Sequence, residues 1–433
     1  MKTELWIVNQ YASTPKQPGH TRHFDFAVEL ARKGIKTTIF ASDLNLATRH
    51  SVCHIEGFWQ EEVVRGVSII WLKSSRYRKN DWRRFINMLG FGYAVYRAGT
   101  ARERKPDIVI GSSPPLFAAA GAYFLARRLR ARFILEIRDL WPQTFVDMGQ
   151  FSARNPLIRL LEMLENFLYR RAERIIVLAR GSQDYLRRKG IADSLVTYIP
   201  NGVRLEDFAA ALDRETARKK YGFSGFTVVY TGAHGPANGL EVILEAAEKL
   251  RGMENLAFVL VGDGTRKADL RARARTMELD NLRFFPPVPK HEIPALLLAA
   301  DAAVMPLTAA GVFGYAVSPN KLFDYLAAKK PVLCTVPGET AELIESHRCG
   351  FASPPEDGEA LAENIRKMLS LPGREREKMG ENGYTLIRDH YSREKLAEKL
   401  GDLIRQSIGN TEKPVPGQGE PALPACLPGP FGR

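Results

Sequence analysis

Residues 227–250 read TVVYTGAHGPANGLEVILEAAEKL. A β-branched and aromatic run, 227–231, leads through a turn of small residues, Gly232-Ala233-His234-Gly235-Pro236-Ala237-Asn238-Gly239, into a helical stretch, 240–250. A short strand feeding a longer helix is the repeating unit of a parallel sheet wrapped by helices. The unit recurs downstream, with strands expected at 257–261, 282–285, 302–305 and 331–335 and a helix at 267–277. It also recurs upstream, with strands at 5–8, 35–41, 107–110, 133–137, 174–178 and 196–199. A first helix there carries Phe24, Ala27, Leu30 and Ala31 and closes at Gly34, and another spans 157–171. The pattern predicts an α/β fold of two tandem, doubly wound, Rossmann-like domains facing across a cleft at their carboxyl edges, where such sheets bind ligands. The expected division is an N-terminal domain over 1–203, a connector over 204–225 and a C-terminal domain over 226–389. From 409 to 433 the chain is too rich in proline and glycine for a core, and a disordered tail is expected.

Global features narrow the class. The 433 residues suffice for about two or three domains, and 45% are hydrophobic, as in chains that bury sizeable cores. No apolar run approaches the roughly 20 residues that span a bilayer, and the first ten residues lack the features of a signal peptide. A cytoplasmic location is expected. Cys53, Cys334, Cys349 and Cys426 show no C-x-x-C or metal-ligand spacing, so reduced thiols are expected and neither a disulfide framework nor a zinc site is supported.

The 62 Lys and Arg against 49 Asp and Glu leave a formal charge of +13, which points to an anionic partner. Basic residues concentrate in 76–105, where Arg76, Arg78, Lys79, Arg83 and Arg84 lead into Trp82, Phe85, Ile86, Met88, Leu89, Phe91, Tyr93, Val95 and Tyr96. Two readings stand for this segment: a helix lying on an anionic membrane surface, and a core-facing helix with a solvated basic lead-in. No zinc-finger spacing, RNP-like aromatic signature or basic zipper accompanies the charge, so nucleic acid is not an expected partner.

Residues 317–332, VSPNKLFDYLAAKKPV, place chemistry at a helix start. Pro319 suits the first turn and Ser318 can cap its free amides, leaving the positive end of the helix dipole, with Asn320 and Leu322, facing what lies above the preceding strand. Lys321 adds a formal charge, and Asp324, one turn on, can accept hydrogen bonds from sugar hydroxyls. A nucleoside diphosphate sugar would satisfy all three, and an ordinary capped amphipathic helix is the other reading. Three loops after strands converge on the same edge. They are the 232–239 turn with Gly232, His234, Gly235 and Asn238, the Gly262-Asp263-Gly264 turn, and the Pro286-Pro287-Val288-Pro289 loop, whose backbone can meet a base edge. Asp263 also reads as a turn residue. On the facing domain the acceptor-side candidates are Gly19 and His20 in the first loop, Ser113, and Arg138 and Asp139 at a strand end. Asp139 is a candidate to orient or deprotonate an acceptor hydroxyl, and a structural Arg–Asp pair is the competing reading. Glu136 falls on the same strand face as Arg138 and is expected to pair with it. His23, His50, His54, His291, His347 and His390 read as surface or packing residues.

At these residues the chain resembles the GT-B glycosyltransferases of family 4. The resemblance runs over 5–406 and rests on the proline–glycine first loop, Ile199-Pro200-Asn201-Gly202-Val203, Val261-Gly262-Asp263-Gly264, the 284–288 loop and the 324–331 helix. Arg138-Asp139-Leu140-Trp141-Pro142, Gly111-Ser112-Ser113-Pro114 and 318–325 are similar to the bacterial transferases of L-fucosamine-type amino-deoxysugars. The resemblance implies a retaining transferase taking a nucleotide-sugar, expected to be a UDP-sugar, and a lipid-linked or cell-surface glycan acceptor. It also implies a last segment, 390–408, that crosses back to the N-terminal domain. The basic and aromatic segment 76–105 adds an expected peripheral attachment to the inner face of the membrane. Relatives clamp the diphosphate with an Arg and a Lys where this chain has Ala233 and Asn238, and carry two glutamates where it has Ala316 and Asp324. Lys321, the helix start and the glycine-rich backbone are therefore expected to hold the diphosphate, together with His234, and no metal or other cofactor is expected. A non-catalytic nucleotide-sugar-binding, membrane-docking subunit and a GT-B-like sugar-nucleotide epimerase remain as alternatives.

Overall fold

The computed structural model describes residues 3–17, 19–46, 48–77, 82–209 and 212–409. Of the tail expected from 409 onward only Gly409 is described, and it ends a helix; the rest of the tail, with Arg78 and Lys79 of the basic segment, lies outside the described residues.

The first sheet has eight strands: β1 (Glu4–Val8), β2 (Lys36–Ser42), β3 (Trp59–Val64), β4 (Val67–Leu72), β5 (Ile108–Ser113), β6 (Arg132–Ile137), β7 (Arg174–Val177) and β8 (Val196–Tyr198). They lie in the order β3-β4-β2-β1-β5-β6-β7-β8, and every neighbouring pair is parallel except β3 against β4. The second sheet comprises β9 (Phe226–Thr231), β10 (Leu256–Val261), β11 (Leu282–Phe285), β12 (Ala302–Pro306), β13 (Val332–Thr335) and β14 (Gly350–Ala352), all parallel, in the order β11-β10-β9-β12-β13-β14. The expected fold class holds, and β3, β4 and β14 add to the strands read from the sequence. Central strands are apolar on both faces, as helix-covered parallel sheets require: Leu5, Trp6, Ile7 and Val8 are wholly buried. Strand order reverses at β1/β5 and at β9/β12, which sets ligand crevices at the carboxyl ends of those strands.

Two segments tie the domains together. Helix Arg393–Gly409 lays Leu396, Ala397, Leu400, Leu403 and Ile404 into the N-terminal core beside Phe24, Phe26 and Leu30 of helix Arg22–Arg32. Where it passes the 199–203 segment, Arg393 N donates to Val203 O at 2.8 Å and Val203 N to Tyr391 O at 3.2 Å. Gly202 is needed there, because a Cβ would sit 2.2 Å from Tyr391 O. On the other side, the short helix Val312–Tyr315 of the second domain sinks Val312 into the N-terminal core, and Tyr315 Oη donates to Asp147 Oδ2 at 3.2 Å.

Candidate functional site

Helix Asn320–Ala327 starts at the carboxyl edge of the second sheet, with Leu322, Phe323, Tyr325 and Leu326 buried in the core and Lys321 and Asp324 on the cleft side, each half-buried. Pro319 precedes the first helical residue and Ser318 does not cap it. The Ser318 hydroxyl instead accepts the Asn201 amide at 3.1 Å, while Asn201 Nδ2 donates to Ser318 O at 2.8 Å, so a capping residue has become an interdomain hinge contact. Leu322 packs inward and gives its amide to Pro319 O at 3.2 Å, which leaves Asn320 and Lys321 as the open positions of the first turn.

The Lys321 side chain crosses the 232–239 loop. Its ammonium donates to Asn238 Oδ1 at 3.0 Å, an oxygen that also accepts the Tyr230 hydroxyl at 3.0 Å, and it lies 5.4 Å from the Tyr230 ring centre. Asn238 therefore holds the lysine, and Tyr230, unmarked in the sequence because it reads as a strand residue, holds Asn238. Burial lowers the Lys321 pKa to about 8 against the pull of Asp324. Burial likewise raises Asp324 to about 6, opposed by Lys290, Arg393 and Lys321 and reinforced by Asp207. Both groups are charged near pH 7.

The glycine loops serve each other as much as a ligand. A Cβ on Gly262 would fall 1.8 Å from Gly232 O, and one on Gly264 2.5 Å from His234 O, so the two turns interlock through bare backbone. Asp263 Oδ1 accepts the Gly264 amide at 2.9 Å, as a turn residue does, and Lys267 Nζ bonds Gly262 O at 2.6 Å and Phe285 O at 3.1 Å. The expectation that the His234 side chain meets the phosphates is corrected: its ring is wholly buried between Tyr230 and Phe284, and burial, with Lys267, lowers its pKa to about 4. Gly235 lies on the open side of the loop and accepts the Asn238 amide at 3.1 Å, and Val288 is half-buried in the loop after β11.

Across the cleft, Gly19, His20 and Asp139 are exposed to its water and Arg138 is half-buried. Desolvation, then the charges of Arg138, Lys290, Lys321 and Arg393, lower the His20 pKa to about 3. All four cations favour the neutral imidazole. The four come from four different elements, and two were not singled out by the sequence: Lys290 in the loop beyond Val288, which donates to Thr21 Oγ1 at 2.8 Å, and Arg393, which donates to Gly202 O at 2.8 Å and pairs with Asp25 at 3.4 Å. Arg393 Nη1 and Arg138 Nε are buried without a hydrogen-bond partner. Asp139 is raised by desolvation and lowered by Arg138, so the pair interacts electrostatically. Ser113 is buried, and its carbonyl accepts the Arg138 amide at 2.9 Å.

The expected Glu136–Arg138 pair is also corrected. Glu136 takes Arg22 Nε at 3.0 Å, His23 Nε2 at 2.6 Å and Ser112 Oγ at 2.7 Å, all in the interior. Asn9 Nδ2 donates to His23 Nδ1 at 2.8 Å, which makes Nε2 the protonated nitrogen that donates to Glu136. Burial opposes the charge, yet His23 and Arg22 hold the Glu136 carboxyl well below its usual range. Arg22 also donates to Ile199 O at 2.7 Å and to Pro200 O, so this cluster fixes the interdomain junction. His23, read as a packing residue, is a member of it.

Among the described residues no three His, Cys, Asp or Glu side chains are grouped to hold a metal ion. Among them, too, no helix is long and apolar enough to cross a membrane. In helix Trp82–Thr100, Met88, Phe91 and Val95 face the core, while Trp82, Ile86, Leu89 and Tyr93 are exposed.

Comparison with known proteins matches residues 20–202 to the glycosyl transferase 4-like domain and residues 213–386 to the glycosyl transferases group 1 family. The chain is 28% identical over 326 residues to the putative colanic acid biosynthesis glycosyl transferase WcaI of Escherichia coli K12, covering 72% of this chain and 79% of that protein. Among solved structures it resembles sucrose-phosphate synthase from Thermosynechococcus elongatus, with a TM-score of 0.76 at 16% identity over 94% of this chain and all of the other. It resembles Anabaena HepE in complex with UDP-glucose with a TM-score of 0.67 at 16% identity, over 93% and 99% of the two chains. Two parallel-sheet domains meeting at a cation-lined cleft, each matching its own half of the pair, make this chain a GT-B glycosyltransferase built from a transferase 4-like domain and a group 1 domain.

Proposed function

We propose that the chain moves a sugar, of the amino-deoxyhexose class, from a UDP-sugar to a lipid-linked or cell-surface glycan acceptor in polysaccharide synthesis, with retention of anomeric configuration and without a metal ion. The observation that carries this reading is Lys321, a half-buried lysine at a helix start, held by Asn238 beside the carboxylate of Asp324. A cation held in that way would meet a developing phosphate charge without reorganisation. HepE with UDP-glucose supports the choice of nucleotide, and the colanic acid relative supports the choice of acceptor.

In the proposed step the bond from the anomeric carbon to the diphosphate oxygen breaks, and an acceptor oxygen bonds to the same face of that carbon. The acceptor proton passes to Asp139, whose raised pKa suits a base that must hold a proton briefly. Neutral His20 is a hydroxyl partner on the acceptor side, and Asp324 a partner for ribose hydroxyls. Attachment at a membrane rests on the exposed Trp82, Ile86, Leu89 and Tyr93, flanked by arginines.

The test is nucleotide release from UDP-, GDP- and dTDP-sugars, with and without membrane lipid extract, in EDTA. The expected result is acceptor-dependent UDP release that EDTA leaves intact and that Lys321→Ala slows about 100-fold, the scale of one oxyanion donor. Wild-type rates in Lys321→Ala, or no release and no binding of any nucleotide-sugar, overturn the reading.

A further inference from the structure

A second concavity opens at the carboxyl edge of the N-terminal sheet, outside the donor site. It has a volume of about 850 Å³, within the range of small-molecule sites, about 300–1,000 Å³. Its walls are the first loop, with Lys16 and Gln17, the loop after β2, with Asn45, His50 and His54, and the start of β3, with Gln60. Because β3 runs antiparallel to β4, pairing Trp59 with Leu72, its first residues lie at the same edge as the loops that follow β1 and β2. The cavity thus faces the edge that carries the cleft.

Its chemistry differs from that of the cleft. The walls carry three carboxylates, Glu56, Glu61 and Glu62, against Lys16. Lys16 bonds Glu62 at 2.7 Å, Glu62 takes the Trp71 indole N–H at 2.9 Å, and Glu61 is paired with Arg102, outside the lining, at 3.2 Å. The rest of the polar lining is amide, hydroxyl and imidazole, with the Glu56 carboxylate. Such a surface, with three carboxylates against one lysine, disfavours a phosphate, while it supplies hydrogen-bond donors and acceptors in mixture, as sugar hydroxyls need. The first loop connects the two sites directly. Gln17 is three residues from His20, so their Cα atoms are at most about 11 Å apart by the reach of the chain, the span of a short run of sugar units.

We infer that this cavity is an acceptor subsite that binds uncharged sugar units of the growing glycan behind the one presented at His20 and Asp139. The inference rests on the transferase reading above and adds the recognition of acceptor length and composition.

The experiment uses the full chain on an array of bacterial oligosaccharides, sorted into neutral, uronic-acid-bearing and phosphate-bearing members, with UDP affinity measured in parallel by calorimetry. The variants are Gln60→Trp, which fills the cavity from an exposed strand position, and His54→Ala, which removes one wall group at an exposed position should the larger residue impair folding. The expected result is binding of neutral oligosaccharides that weakens at least tenfold in these variants, with UDP affinity unchanged. Wild-type protein that binds UDP but no neutral glycan, equal glycan binding by the folded variants, or binding confined to charged glycans overturns the subsite and leaves the donor reading standing. Glycan binding lost in the variants, in a protein that does not bind UDP, keeps the subsite and removes the donor reading.

Discussion

Lys321 reaches its anchor by passing over Gly232: a Cβ at Gly232 would lie 2.1 Å from Lys321 Cε. Two residues 89 positions apart thus make one device, in which the missing side chain of the first gives the second its path. Gly232→Ala is expected to push the ammonium off Asn238 while leaving both sheets formed. Misplacement of a charged group by about 1 Å can cost about 100-fold in rate, and a loss of that order in kcat/KM for the nucleotide-sugar is expected. A variant with unchanged circular dichroism and unchanged kcat/KM would show that the lysine's position does not matter.

The paired charges of the donor helix set a pH window. Asp324, raised to about 6, gains a proton as pH falls through that value and stops acting as an anionic acceptor; Lys321, lowered to about 8, loses its charge as pH rises through that value. Donor kcat/KM should therefore be bell-shaped, with limbs near those two values, since this ratio reports groups of the free enzyme. Lys321→Arg should remove the alkaline limb, because a guanidinium stays protonated. A flat profile, or an alkaline limb that persists in Lys321→Arg, would assign the titrations elsewhere.

How much of this could be read from the chain alone depends on whether a residue acts locally. The 227–250 unit declares itself, because a strand, a small-residue turn and a helix are local patterns, and repeats of that unit carried the fold. Lys321 and Asp324 were legible for the same reason, sitting one helical turn apart after a Ser-Pro-Asn start. His234 was misread because a histidine after a strand looks like a ligand until the Gly262–Gly264 turn closes over it. Glu136 was misassigned because period-two alternation points to Arg138, whereas its partners, Arg22 and His23, stand 114 and 113 residues away. Lys290 and Arg393 carry no local sign; each joins the cleft through the meeting of the two domains.

The Glu136 cluster should matter to stability rather than to chemistry. Its carboxylate balances Arg22 in the interior and satisfies His23 and Ser112. Removing one partner of a buried ion pair typically costs about 3–5 kcal/mol, since the other charge is stranded. Glu136→Ala should lower the urea midpoint of the N-terminal domain by a corresponding amount. The pKa is depressed in the fold, so this contribution is present above the usual carboxylate value and fades as pH falls toward the folded one; the gap between wild type and Glu136→Ala should narrow in acid. An unchanged midpoint at neutral pH would mean that Arg22 finds enough support in the Ile199 and Pro200 carbonyls alone.

Membrane attachment has its own prediction, because the exposed apolar groups of helix Trp82–Thr100 do not build the core. Trp82 and Tyr93 are 66% and 67% exposed, and the buried face of the same helix is carried by Met88, Phe91 and Val95. Trp82→Glu with Tyr93→Glu should therefore leave the melting temperature within a degree or two of wild type, as surface changes usually cost within about 0.5 kcal/mol. The same pair should abolish sedimentation with vesicles rich in phosphatidylserine, since it removes interfacial aromatics and adds negative charge beside Arg83 and Arg84. Basic side chains near an anionic surface contribute about 1 kcal/mol each, so wild-type binding should also fall as salt is raised and be weak on phosphatidylcholine alone. Equal sedimentation of wild type and double variant would move the attachment surface to another part of the molecule, whereas salt-insensitive binding would make it apolar rather than electrostatic.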